Sequence, residues 1–206
     1  MKISRFLLVA ALITGVNILL IQALPSVFKD QEMSAEDKKM MEQMMKYGTP
    51  GKEHELLKRY VGEWVVDVTV WPKPGAPAQM SKGTMKNQLI FDGRYIKCDF
   101  EGMMGGMASK GLEIIGYDLF KKMYTTFWID SWSTAFVVTT GTLDMAGKVL
   151  TETGEFPDAM TDGKTMQKFR NVTTFVSEGK YTFEMFMTMP DGKEAKSMEM
   201  VCTRTK

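Results

Sequence analysis

The sequence predicts an all-β protein: an antiparallel up-and-down barrel of about ten strands, preceded by a short helix and an N-terminal hydrophobic export segment. Three observations carry this expectation. From Trp64 onward, runs rich in β-branched and aromatic residues alternate with turn residues roughly every 8 to 14 positions. The pairs Asp92-Gly93, Glu178-Gly179 and Asp191-Gly192 fall between such runs, where two-residue hairpin turns need residues that tolerate positive φ. No helical pattern separates the runs, so the crossovers a parallel sheet requires are absent from the pattern.

The chain opens Met1-Lys2-Ile3-Ser4-Arg5 and continues with an apolar run from Phe6 to Leu24, interrupted by Thr14, Gly15, Asn17 and Gln22. A basic start before an apolar core is the pattern of an export signal. The run is also long enough to remain as a membrane anchor. Residues 1–24 are therefore read as a signal peptide or an anchor, with both outcomes open. Either one places the remainder in a periplasmic or extracellular space, or on the extracytoplasmic side of a membrane.

Residues 25–49 read as a polar, methionine-rich linker with a helix from Ser34 to Tyr47. Ser34 and Asp37 have the spacing of an N-cap pair, and Met40, Met41, Met44 and Met45 form two i,i+4 pairs. Thr49-Pro50-Gly51 breaks the chain, and the domain proper runs over 50–206. A second short helix follows over Glu53–Val61, with Leu56, Leu57, Tyr60 and Val61 at helical spacing and Gly62 as its stop. His54 on this helix is expected at the surface or in helix packing.

The expected strands are Trp64–Trp71, Ser81–Phe91, Arg94–Phe100, Lys110–Tyr117 and Met123–Ser131, then Thr134–Leu143, Val149–Phe156, Thr165–Val176, Tyr181–Met189 and Glu194–Arg204. A meander of this kind closes into a barrel and thereby removes its edges. Tight turns at Glu178-Gly179 and Asp191-Gly192 would set Val172 against Met185, Arg170 against Met187, Met185 against Met198 and Phe183 against Met200. The inner face of these last strands would then carry Val172, Val176, Tyr181, Phe183, Met185, Met187, Met198, Met200 and Cys202, with Arg170 and Lys196 sharing it towards one end. Phe169, Phe175, Glu184, Ser197 and Glu199 would face outward.

Composition narrows the function. Lysine plus arginine (26) balance aspartate plus glutamate (25), so no basic footprint points to nucleic acid. The single histidine, His54, removes most zinc sites, Ser-His-Asp triads and Cys-His dyads. No strand offers the histidine that a haem barrel ordinarily uses as axial ligand. Methionine stands out at 20 residues, and this flexible, polarizable side chain suits adaptable apolar cavities.

The best-supported reading is an exported, non-enzymatic binding protein that holds a small apolar or amphipathic ligand and needs no cofactor. Its candidate ligand-binding residues are Arg170, Phe183, Met185, Met187, Met198, Met200, Met103, Met104, Tyr117, Trp128 and Asp130. Gly102–Met107 is read as an apolar loop at the barrel mouth. A membrane contact is expected only through an uncleaved N-terminal segment. Three alternatives stand beside this one: a packed-core interaction module, a barrel enzyme using Asp130, Tyr117 or Arg94, and a Cu(I) site built from Met103, Met104 and Met107. Cys98 and Cys202 fall on the third and last strands, three strand steps apart after closure. That separation exceeds the reach of a disulfide, so two free thiols are expected.

Several of these segments carry a family resemblance. They include Gly62-Glu63-Trp64, Asp92-Gly93-Arg94, Gly102-Met103-Met104-Gly105, Gly116-Tyr117-Asp118 and Trp128-Ile129-Asp130-Ser131. Pro190-Asp191-Gly192-Lys193-Glu194 and Met198-Glu199-Met200 belong to the same series. From about Pro50 to the C-terminus the chain resembles the domain of unknown function 1579. The resemblance implies a lipocalin-like (calycin-type) barrel of mostly bacterial occurrence and supplies no function.

Overall fold

The computed structural model describes residues 33–205, so the signal-or-anchor segment lies outside the described residues. Helix α1 (Ala35–Gly48) starts where Ser34 caps it: the Asp37 N–H donates to Ser34 Oγ at 3.1 Å, and the Ser34 hydroxyl donates to Asp37 Oδ2 at 2.7 Å. None of its residues is buried, and Met40, Met41, Met44 and Met45 are all at least half exposed.

The second helix is shorter than expected. A 3₁₀ turn (Lys52–His54) runs into α2 (Glu55–Lys58). The Tyr60 carbonyl instead accepts from Trp64 Nε1 at 2.8 Å and from Asn87 Nδ2 at 3.0 Å. These side chains take over an acceptor that a longer helix would use, and they fasten the segment to the strands.

Ten strands follow: β1 (Gly62–Val70), β2 (Gln79–Ile90), β3 (Tyr95–Met104), β4 (Met107–Asp118), β5 (Met123–Asp130), β6 (Val137–Leu143), β7 (Val149–Pro157), β8 (Met166–Ser177), β9 (Lys180–Thr188) and β10 (Glu194–Arg204). Each pairs antiparallel with its sequence neighbours, and β1 pairs with β10 to close the barrel. Period-2 burial sets the inner face. On β1, Trp64, Val66 and Val68 are buried while Glu63, Val65 and Asp67 are exposed. Where two glycines face each other on β2 and β3, at Gly83 and Gly102, the Phe100 ring occupies the space that side chains would fill.

Three connections depart from the expected geometry. Gly102–Met107 is not a loop: β3 and β4 run on to Met104 and Met107, joined by Gly105-Gly106 with φ of +54° and +82°. The β2–β3 turn spans Phe91–Arg94, with positive φ at Phe91, Asp92 and Gly93, and is therefore longer than a two-residue hairpin. Two β-bulges shift the register near the C-terminus. One lies between Phe175 and Ser177 on β8, the other between Lys196 and Met198 on β10.

Each extra residue turns the strand beyond it to the opposite face. Phe169, Asn171, Thr173 and Phe175 therefore point inward on β8, whereas Arg170, Val172 and Val176 point outward, contrary to expectation. On β9 and β10 the pairs Met185–Met198 and Phe183–Met200 form in the expected register, while Lys196 turns to the outer face.

The interior has two halves. At the end covered by α2, Leu57, Trp64, Val66, Leu150 and Cys202 are 0–1% exposed, and Tyr60, Phe175 and Tyr181 fill the space between them. Edge-on ring contacts at 4.8 to 5.4 Å join Tyr60 to Phe175, Tyr60 to Tyr181, and Trp64 to Tyr181. Arg204 locks this lid by donating to the Arg59, Val61 and Glu178 carbonyls. Towards the opposite end, the inward side chains of Trp128, Val137, Phe183, Met185, Met187 and Met198 are only partly buried. Trp128, Phe183 and Met198 pack against the buried core while keeping some accessible surface.

Candidate functional site

The candidate site is this partly exposed half of the interior, and its polar centre is Glu113. The Gly105-Gly106 turn sets β3 against β4 so that Glu113 faces Cys98, and the β4–β5 register sets Trp128 on its other side. Glu113 holds an inner position and keeps some accessible surface. Cys98 stands directly opposite it on β3. Burial pushes the Glu113 carboxyl up to about 8, and the charge of Glu152 adds to the rise.

Glu152 lies deeper, accepting hydrogen bonds from Thr126 Oγ1 at 2.7 Å and Thr139 Oγ1 at 3.1 Å. Burial raises its carboxyl as well, against the pull of those two hydroxyls. Around the carboxylates stand Tyr60, Tyr181, Cys98 and Cys202, all with protons held more firmly than usual because burial disfavours their anions. Asn171 pairs with Glu152 on one side and Met185 on the other, and its buried Oδ1 has no hydrogen-bond partner. Asn87 Oδ1, nearer the lid, is also unpartnered.

Trp128 forms part of the wall. A Cβ on Gly111 would run into its ring, so the glycine is what allows the indole to lie against β4. Its Nε1 donates to Asp130 Oδ2 at 2.8 Å, and Asp130 Oδ1 accepts from the Trp132 and Ser133 N–H groups at 2.8 and 3.0 Å. Asp130 thereby shapes the β5–β6 turn at the barrel mouth.

The structure brings Phe183, Met185, Met187, Met198, Trp128 and Asp130 together around or at the mouth of this space. Met200, at 5% exposure, belongs to the packed layer beneath it, and Met104 is buried on the inner face near the end of β3. Three candidates lie elsewhere. Arg170 is on the outer face because of the β8 bulge; it stacks on Phe186 and pairs with Glu194 at 2.5 Å. Met103 faces outward, since strand alternation continues to the tip of β3. Met103 and Met104 thus occupy opposite faces, and the Cu(I) cluster has no geometry to stand on.

Tyr117 sits at the lid end, edge-on to Tyr124 at 5.0 Å and His54 at 5.9 Å. His54 is buried under the lid, where its Nδ1 accepts from the Gly51 N–H at 3.0 Å, and burial lowers its pKa. Among the described residues, no cluster of three His, Cys, Asp or Glu side chains is placed to hold a metal. Cys98 and Cys202 are both free and buried.

Glu113 and Glu152 were not legible as site residues. One signal existed: reading Gly105-Gly106 as a two-residue turn puts Glu113 opposite Cys98 by counting back along the hairpin. Glu152 had no comparable marker, since Thr151-Glu152-Thr153 reads as a solvated strand edge.

The fold defines a class: a closed ten-stranded up-and-down β-barrel preceded by a short helix. The chain belongs to the DUF1579 family, described as proteins of unknown function, whose model matches residues 49–204. A solved redesigned β-barrel is similar at 14% identity and a TM-score of 0.38, over 73% of this chain and 96% of that one. No curated protein matches the chain.

Proposed function

We propose that the protein is a non-enzymatic binding protein that takes a small apolar or amphipathic molecule into the open half of its barrel. One observation carries this reading: Glu113, Trp128, Phe183, Met185 and Met198 hold inward positions and yet retain accessible surface. A barrel whose purpose was only to pack would fill both halves to the density of a protein interior. An apolar wall with a few convergent polar groups is the usual character of a ligand site. Methionines on adjacent strands give that wall side chains able to adjust to different shapes. Export is proposed from the basic-then-apolar N-terminal pattern, with the barrel on the extracytoplasmic side.

Native mass spectrometry of protein purified from its own source tests the binding reading. A co-purifying small molecule, or saturable uptake of an apolar dye that Met185→Trp reduces, supports it. An empty monomer that takes up no dye refutes it. A second reading is favoured by a separate observation, the exposed methionines of α1, which suit contact with a protein partner. Pull-down efficiency that falls when Met40, Met41, Met44 and Met45 become glutamine would support that role.

A further inference from the structure

We infer that the interior ligand is a cation, an amphipathic organic amine whose charged nitrogen sits at the level of Glu113, Glu152 and Asn171 while its apolar part lies against Trp128, Phe183 and Met185. This rests on the interior taking a ligand at all, and it names that ligand's chemistry.

The first ground is charge. Three carboxyl groups occupy inner positions along one path: Asp130 at the mouth, Glu113 midway and Glu152 below. Among the described residues, no lysine, arginine or histidine holds an inner position in the open half. Arg170 and Lys196, the nearest candidates by sequence, are engaged outside with Glu194, and with Glu184 and Glu199. Buried carboxylates ordinarily have a cationic partner or coordinate a metal. Asp130 is satisfied by three N–H donors and Glu152 by two hydroxyls, so Glu113 is the carboxyl that a bound cation would pair with.

The second ground is hydrogen bonding and is independent of charge. Asn171 is 9% exposed, faces the same space and leaves its Oδ1 without a donor. The nearby hydroxyls of Thr126 and Thr139 are already spent on Glu152. The Asn171 amide oxygen is an acceptor left without a donor, and an ammonium supplies one because it donates and accepts nothing. An anionic head would find no cation at the inner positions of this half among the described residues.

The third ground is the wall. An indole, a phenyl ring and thioether sulfurs form a surface that a desolvated cation tolerates, because the ring faces carry partial negative charge. In the empty barrel burial holds a proton on Glu113 at neutral pH, its carboxyl lying at about 8. A bound ammonium would take the place of that proton, and one proton would leave as one cation binds. The groups facing Glu113 in this exchange are Cys98 from β3, Glu152 from β7, Tyr60 from the lid segment, and Tyr181 and Cys202 from β9 and β10.

Calorimetric titration of the full chain with decylamine, decanol and decanoate, each below its micelle concentration, tests the inference. The expected result is decylammonium binding at least about tenfold more tightly than decanol, with decanoate weakest, at about 1.4 kcal/mol per tenfold. In Glu113→Gln the decylammonium advantage should fall by about tenfold while decanol affinity holds. Equal binding of all three probes, or tighter binding of decanoate, would overturn the cation inference and leave the cavity reading standing. No binding of any probe would overturn both. The head-group comparison in the unaltered chain needs no variant, so the inference stays testable even if Glu113→Gln fails to fold.

Discussion

Replacing Glu113 with glutamine should remove a pH dependence of stability that the unaltered protein carries. Glutamine keeps the size of the side chain and a carbonyl oxygen, but it cannot ionise. Glu113 titrates at 4.5 when unperturbed and at about 8 in the folded barrel. Between those values the folded state holds a proton that the unfolded state has released, so stability falls as pH rises. The contribution is fully present below about pH 4.5 and is lost as pH passes through about 8.

At about 1.4 kcal/mol per pH unit, the ceiling is about 5 kcal/mol. Glu113 keeps some accessible surface, and water in the cavity solvates the anion, which lowers the expected loss to about 2–3 kcal/mol. Urea unfolding at pH 5, 7 and 9 measures it. Glu113→Gln should match the unaltered protein at pH 5 and exceed it at pH 9 by that amount, with a shallower slope between. Glu152, raised by burial, contributes in the same direction in both proteins, and the difference between them reads Glu113 together with its coupling to Glu152. A Glu113→Gln protein whose stability runs parallel to the unaltered one across this range would refute the placement of Glu113 in a low-dielectric interior.

Met200→Ala removes a side chain from the packed layer and should cost about 2–5 kcal/mol, whereas Met185→Ala at the cavity wall should cost less than about 1 kcal/mol; equal losses in urea melts would mean the two halves are packed alike. Gly102→Ala should be strongly destabilising, because the added methyl meets the Lys82 carbonyl oxygen at 2.7 Å and the Gly83 backbone across the β2–β3 pair; a thermal midpoint within about 2 °C of the unaltered protein would contradict that close approach. Arg170→Ala breaks a half-exposed surface ion pair and should cost about 1 kcal/mol or less without affecting dye uptake; loss of uptake in a folded variant would return Arg170 to the interior. Thiol titration should find Cys98 and Cys202 unreactive in the folded protein and both reactive in denaturant, and failure to find two thiols would contradict their free state.

The amino-acid pattern by itself determined the barrel. Alternating β-branched and apolar positions, spaced turn residues and the absence of crossovers allow few topologies besides a closed meander, and closure removes the edges that an open sheet would expose. It also determined the inner face of β9 and of the distal part of β10, because glutamates at Glu184 and Glu199 are costly inside while Phe183, Met185, Met198 and Met200 are not. The helical cap of α1 was equally legible, since Ser34 and Asp37 satisfy backbone donors within a single turn.

Only the tertiary structure decided the rest. Each β-bulge inserts one residue and reverses every side chain beyond it, and nothing local to Val176 or Ser197 announces one. β8 therefore turned over, taking Arg170 out of the interior and bringing Asn171 in. β4 was ambiguous for a different reason: Leu112 and Ile114 compete with Glu113 and Ile115 for the inner face, and a short-range pattern favours the two apolar residues. The register set at Gly105-Gly106 chose Glu113, and closure then placed it in one interior with Glu152 from β7. Two acids far apart in the chain came to share one low-dielectric space, because barrel closure is a long-range event that no local pattern encodes.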